Sequence, residues 1–208
     1  MAQSAIVDAP DLEPEPVYGR PMSIEAWEQM DEPGELVDGL LEEEELADYP
    51  HEVILAALLR VLILWTHPRR GLVIASEAKY ALTKRRGRKP DLSVFLTRDR
   101  KLPRRGAARI PPDIMVEILS PRPRDHRRDR IQKLNEYAAF GVRWYWLVDP
   151  EARTIEVLRL GDDGHYTHAL DAAEGTVEVP GCEGLALDLD ALWREIDELV
   201  EGEGTEGT

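Results

Sequence analysis

The sequence predicts an α/β (α+β) domain with a mixed central sheet flanked by helices. Three observations lead there. The periodic segments come in the order helix, several strands, helix, strands, helix, which suits a sheet with helices packed on it. Between Glu35 and Leu96 the turns are closely spaced, so those strands run mainly antiparallel. The segment from about Asp125 to Phe140 is long enough to cross over between two parallel strands. With 208 residues and 43% hydrophobic content the chain can bury a proper core. The domain is expected over residues 21–200. A Pro- and acid-rich tail with little to bury, 1–20, precedes it, and a flexible acidic tail, 201–208, follows.

Met22–Met30 reads as a short helix capped by Ser23, with Ala26, Trp27 and Met30 on its apolar side. Pro33-Gly34 is a turn, and Glu35–Leu41 alternates around Asp38-Gly39 as a small hairpin. Glu42–Glu45 reads as a solvated loop or strand edge. His51–Trp65 is apolar nearly all round, the pattern of a helix that is buried or sits in a subunit interface. Leu72–Leu82 has strand character, interrupted by Glu77 and Lys79. Thr83–Lys89 is a very basic hairpin-like loop, after which Pro90-Asp91 opens a second strand, Leu92–Leu96. A basic loop, Arg98–Arg109, leads to a third, Asp113–Leu119. At 100° per residue, Ile131, Leu134 and Ala138 form the core face of the Asp125–Phe140 helix, which Gly141 closes. Val142–Val148 follows as a buried strand, then Thr154–Leu160, a turn at Gly161–Gly164, and weaker strands at His165–Leu170 and Thr176–Val179. Leu189–Val200 is a closing helix.

The formal net charge of −15 argues against a nucleic-acid partner, but its distribution does not. From Arg60 to Arg143 there are 22 Lys/Arg against 8 Asp/Glu, a segment charge of +14. The remaining 4 Lys/Arg and 33 Asp/Glu give −29. Fields are local, so a basic middle between acidic flanks can steer a phosphate backbone; a solvated face paired with the chain's own acids explains the asymmetry as well. The one cysteine, Cys182, excludes an internal disulfide and fits a reducing, cytoplasmic setting. The first residues have neither the basic nor the apolar region of a secretory signal. The longest apolar stretch, Val53–Trp65, has 13 residues interrupted by Arg60, so no membrane partner is expected of a run shorter than the roughly 20 a bilayer needs.

Three positions stand out as candidates for chemistry: Asp91 at the head of one strand, Glu117 inside the next, and Lys133 on the following helix. Two carboxylates on neighbouring strands can hold a hard cation such as Mg²⁺ through oxygen. A nearby lysine can hold an attacking water or neutralise transition-state charge on a phosphate. Each has a plainer reading. Asp91 can start a strand or cap a turn. Glu117 lies among Val116, Ile118 and Leu119 and can simply face solvent. Lys133 stands four residues after Asp129, the spacing of a surface helix pair, and roughly 120° from the core face. Glu52 and Glu77 are further acids; Glu52, beside His51, also suits a helix N-terminus. His126 reads as a solvated or phosphate-facing side chain. Lys84, Arg85, Arg86, Arg88, Arg104 and Arg105 are the candidates for binding phosphates.

Taken together, KPDLSVF (Lys89–Phe95), DIMVEILSPRPRDHRRDRIQKLNEYAAFGV (Asp113–Val142) and YWLVDPEARTIEVLRL (Tyr145–Leu160) resemble the bacterial Uma-type restriction endonucleases of the PD-(D/E)XK nuclease superfamily. ELVDGLL (Glu35–Leu41) and PHEVILAALLRVL (Pro50–Leu62) are similar to that family's opening hairpin and first helix. The resemblance implies a restriction-endonuclease-like fold and cleavage of nucleic acid, DNA first, with Mg²⁺ (or Mn²⁺). Asp91 and Glu117 would hold the ion with the Ile118 carbonyl, and Lys133 would position the attacking water. The superfamily's usual lysine comes two residues after the second acid, where this chain has Leu119; Lys133 would be that lysine displaced onto the helix. Asp129 and Tyr137 match the same helical motif as supporting residues. Trp144 departs from the pattern, which has an acid there. The rival readings are a catalytically inactive DNA-binding protein of the same fold, and a homodimeric assembly module using the Val53–Trp65 helix.

Overall fold

The computed structural model describes residues 18–31, 33–44, 47–121 and 128–200, with the backbone alone for Arg128, Asp129 and Val200. Residues 1–17, 201–208 and His126 lie outside this range. The chain forms α1 (Ile24–Gln29), the hairpin β1 (Glu35–Val37) and β2 (Leu40–Glu42), and the long α2 (Tyr49–Thr66). Then come β3 (Leu72–Ala75), β4 (Tyr80–Thr83), β5 (Arg86–Arg88), β6 (Leu92–Phe95) and β7 (Ile114–Ile118). A π-helical turn, Arg128–Lys133, runs directly into α3 (Leu134–Phe140). β8 (Trp144–Asp149), β9 (Thr154–Leu160), β10 (Tyr166–Ala172), the pair β11 (Thr176–Glu178) and β12 (Ala186–Asp188), and α4 (Leu189–Val200) complete it.

Six strands make the main sheet, in the order β10-β9-β8-β7-β6-β3. Its one parallel pair is β7 with β8, joined through α3, so the crossover read from the sequence is present. Strand alternation sorts the two faces. Ile114, Val116 and Ile118 of β7 pack with α2 and α4, whereas Met115 and Leu119 pack with Tyr137 of α3. Glu117 shares that second face. A smaller sheet, β2-β1-β5-β4, lies under α1. Trp27 seats its ring on Gly87 so closely that a Cβ there would come within 2.4 Å of it.

Several expectations change. The single strand expected over Leu72–Leu82 is two: β3 pairs with β6 in the main sheet and β4 with β5 in the small one. The break falls at Glu77, whose φ of +76° turns the chain, so Glu77 belongs to a turn and not to a strand. In α1 the buried residues are Ile24 and Trp27, and Ala26 is exposed. With its trailing turn α2 reaches Arg69, giving 21 residues that by length and composition alone could cross a membrane, longer than the apolar run suggested. Its face of Ile54, Leu55, Leu58, Leu62 and Trp65 is buried against the sheet, the position of a core helix. Trp144 is itself core, its ring covering Gly181. Gly19 and Arg20, assigned to the tail, hydrogen-bond along the hairpin through Gly19 N to Leu41 O and Leu41 N to Arg20 O.

The largest departure is on the crossover. Ile131, expected in the core, is 54% exposed, and Leu134 and Ala138 are half-buried. Lys133 and Tyr137 are the buried residues instead, at 3% and 0% exposure. The 100° step assumes i→i+4 hydrogen bonds; a π turn closes on i→i+5 and rotates the downstream residues relative to the upstream ones. The face turned to the sheet is that of Lys133 and Tyr137, one turn apart, and not that of Ile131, Leu134 and Ala138.

Candidate functional site

The strand register brings the two acids together. β6 and β7 are antiparallel with Leu92 opposite Val116, so one step further places Asp91 opposite Glu117. Opposed residues share a face of the sheet. Asp91 is tied to β7 directly: its Oδ2 accepts from the Ile118 backbone N–H at 2.7 Å. Its Oδ1 lies 3.2 Å from Nε2 of His51, in the first turn of α2.

Glu117 is 3% exposed, and both its oxygens have partners delivered by the crossover. Lys133 Nζ stands 2.7 Å from Oε2 and the Tyr137 hydroxyl donates to Oε1 at 2.5 Å. Burial, then the charges of Glu117 and Glu35, push the Tyr137 phenol well above its ordinary range, which keeps it a donor. Both side chains reach one carboxylate because Lys133 and Tyr137 lie one α-helical turn apart. The side chain of Asp129, whose i, i+4 spacing to Lys133 suggested a surface pair, lies outside the described residues.

Asp91, Glu117 and Lys133 line a cavity of about 150 Å³ with Glu35, Glu44, His51, Glu52, Glu77 and Lys89. Six carboxylates thus face two ammonium groups. Such an excess of oxygen donors around a half-buried aspartate and a buried glutamate fits a divalent cation, and the volume leaves room for several waters at about 30 Å³ each. The residues present therefore suit the metal that the resemblance implies.

The other expected acids differ in kind. Glu52 lines the cavity with a side chain 59% exposed, its Oε1 3.6 Å from His51 Nδ1. Glu77, 76% exposed, stands at the mouth, where Lys89 Nζ reaches it at 2.5 Å and Glu44 at 2.6 Å. Burial lowers the Lys89 pKa, but hydrogen bonds to Glu44 and Glu77 outweigh it, and the net shift is upward. Glu44, read as a solvated loop residue, is thus part of the cavity. In the sequence reading His51 is only the residue before Glu52. The helical period was the available signal, because positions 51, 54, 55, 58 and 62 fall on one buried face and 52 does not.

The basic candidates divide. Arg88 is fully buried and gives its guanidinium to Glu35 at 2.6 Å and Glu136 at 2.6 and 3.0 Å. It is out of reach of a phosphate, which corrects its assignment to that role. Arg86 pairs with Glu136 and Asp38, and Arg85 bonds the Asp38 carbonyl, so both also hold the hairpin to its surroundings. Lys84, Arg104 and Arg105 are exposed and make no ion pair among the described residues. Elsewhere in the basic segment, Arg60, Arg100, Arg109 and Arg130 pair with Glu195, Asp113, Glu28 and Glu156. Much of the segment's positive charge is thus neutralised by the acids it folds against. A second group, Glu156, His168 and Asp171, brings ligand atoms within 4.8 Å of one another, but Arg130 already holds Glu156.

A family model described as "Uma2: Putative restriction endonuclease" matches residues 22–191. No curated protein matches the chain. Among solved structures, one described as "a putative nuclease belonging to DUF820 from Anabaena variabilis ATCC 29413" superposes with a TM-score of 0.66. It is 21% identical and covers 85% of this chain and 99% of its own, a likeness of fold.

Proposed function

The chain belongs to the Uma2 family, a family of restriction-endonuclease-like nucleases, and we propose that it is a divalent-metal-dependent endonuclease acting on DNA. The observation that carries the proposal is the meeting of Asp91, Glu117 and Lys133 in one cavity from three separate elements. Hydrolysis forms a bond from a water oxygen to phosphorus and breaks one P–O ester bond, leaving a phosphomonoester and a hydroxyl.

Asp91 and Glu117 are the residues that would hold Mg²⁺ or Mn²⁺. Such an ion supplies Lewis-acid polarisation of a phosphoryl oxygen and neutralises its charge. The remaining work falls to the chain. Tyr137 fixes one oxygen of Glu117, and the Ile118 N–H fixes one oxygen of Asp91, so neither carboxylate needs to reorganise. Lys133, as an ammonium, orients the attacking water and stabilises the charge that builds on the phosphoryl oxygens. The exposed Lys84, Arg104 and Arg105 are the side chains we assign to the phosphate backbone.

The test is incubation of the purified protein with plasmid and with single-stranded DNA, with Mg²⁺ or Mn²⁺. Cleavage should require metal and disappear in Asp91→Ala and Glu117→Ala. Cleavage that persists in both variants would overturn the assignment. Salt-dependent binding with no cleavage by the native protein would favour a binding protein of the same fold.

A further inference from the structure

We propose that His51 is a third metal ligand and that it makes the site select Mn²⁺ over Mg²⁺. The inference rests on the metal site assigned above and goes beyond it, because neither acid discriminates between these ions. His51 is buried in the first turn of α2, lines the cavity, and directs Nε2 to within 3.2 Å of Asp91 Oδ1. Two ligand atoms about 2.1 Å from an octahedral ion and at right angles to each other lie about 3.0 Å apart, so the separation suits neighbouring ligands on one ion. The other ring nitrogen, Nδ1, points toward Glu52, whose Oε1 is 3.6 Å away. At 3.6 Å this is not a hydrogen bond, but a turn of the exposed Glu52 side chain would supply the carboxylate partner that ligating histidines carry on that nitrogen, leaving Nε2 its lone pair.

The placement is built into the helix. Asp48 caps α2, its Oδ1 accepting from the His51 backbone N–H at 2.9 Å, and Ile54, Leu55 and Leu58 bury the face on which His51 stands. The imidazole is held against the strand that carries Asp91 by the same packing that docks the helix.

Nitrogen ligation changes the selectivity. Mg²⁺ demands oxygen donors and gives up water reluctantly, whereas affinity for a mixed N/O site begins to rise with Mn²⁺ and continues along the first-row series. Two carboxylates alone would leave the ions similarly bound; two carboxylates with an imidazole favour Mn²⁺.

The experiment is a Mn²⁺ titration of the whole chain, following loss of the free-ion electron paramagnetic resonance signal, with Mg²⁺ as competitor. The native protein should bind Mn²⁺ at least tenfold more tightly than Mg²⁺, and its bound Mn²⁺ should show ¹⁴N modulation in the electron spin echo. His51→Gln keeps an N–H for Asp91 but no imidazole. It should lose the nitrogen modulation and bring the Mn²⁺/Mg²⁺ ratio to within threefold of unity, with a metal-free melting temperature near native. His51→Ala should lose the same preference. An unchanged ratio with persistent modulation in both variants would overturn the inference and leave His51 a hydrogen-bond partner of Asp91. Asp91→Ala separates the two levels: if it binds Mn²⁺ as native does, the metal site itself is misplaced, whereas if it alone abolishes binding, only the ligand role of His51 fails.

Discussion

Lys133 Nζ lies 2.7 Å from Glu117 Oε2, both side chains 4% exposed and 16 residues apart in the chain. Breaking a buried pair from one side leaves a charge without compensation, at a cost of about 3–5 kcal/mol. Lys133→Met should therefore lose both cleavage and stability. The double variant Glu117→Gln/Lys133→Met should be destabilised by less than the sum of the single changes, with coupling above about 1 kcal/mol. Urea denaturation of the four proteins measures it; additive losses would place the lysine elsewhere in solution.

Tyr137→Phe removes the hydroxyl donor to Glu117 Oε1 and keeps the ring that packs edge-on against Tyr145. The lost hydrogen bond should cost about 1–3 kcal/mol. Cleavage should slow by roughly ten- to a hundredfold through misplacement of the carboxylate. Binding of DNA in the absence of metal should not change. Single-turnover cleavage alongside equilibrium binding separates these effects, and a native cleavage rate would remove Tyr137 from the site.

The division among the cations predicts opposite phenotypes. Arg88→Met strips Glu35 and Glu136 of a buried partner and should cost about 3–5 kcal/mol. The triple variant Lys84→Glu, Arg104→Glu and Arg105→Glu should keep its melting temperature within a few degrees. It should weaken DNA binding and flatten the plot of log affinity against log salt by about 1 for each phosphate that is no longer neutralised. A salt slope unchanged by the triple variant would show that DNA approaches over another surface.

Stability should fall in alkali. Burial pushes the Tyr80 phenol and the Cys182 thiol up to about 12, from ordinary values of 10.0 and 9.0, and raises Tyr137 and Tyr166 as well. For an acid whose pKa rises on folding, the unfolded chain loses its proton first. The stabilisation is therefore complete below about pH 9 and is lost as pH climbs through about 9 and 10 toward the folded values. Each such group contributes about 1.4 kcal/mol per pH unit in that window. Denaturation series at about pH 8, 9, 10 and 11 should show a steepening loss, with tyrosinate absorbance rising together with unfolding. A flat profile would mean these phenols are open to solvent.

Much of this molecule was legible in the chain. Turn chemistry marked the Asp38-Gly39 hairpin, where both residues adopt positive φ. Length and Gly141 marked the crossover, and the linear order of Asp91, Glu117 and Lys133 marked the chemistry together with the family. What local pattern could not supply was depth. The same arginine string contains Arg88, wholly enclosed, and Lys84, in solvent, because Glu35 and Glu136 arrive from segments some fifty residues away along the chain. A strand period cannot show that Leu72–Leu82 divides between two sheets, since each half has strand character by itself.

The order of residues was enough to establish the succession of elements, the family, and which side chains were chemically able to form the site. That they meet is a property of the folded chain alone. The β6–β7 register set Asp91 opposite Glu117, the docking of α2 brought His51 to Asp91, and the packing of the crossover on the sheet turned Lys133 and Tyr137 inward. One cause underlies all three. A helix or strand has a fixed period of its own, but the offset between two elements is set by how their buried faces fit and by which charges must be matched once water is excluded.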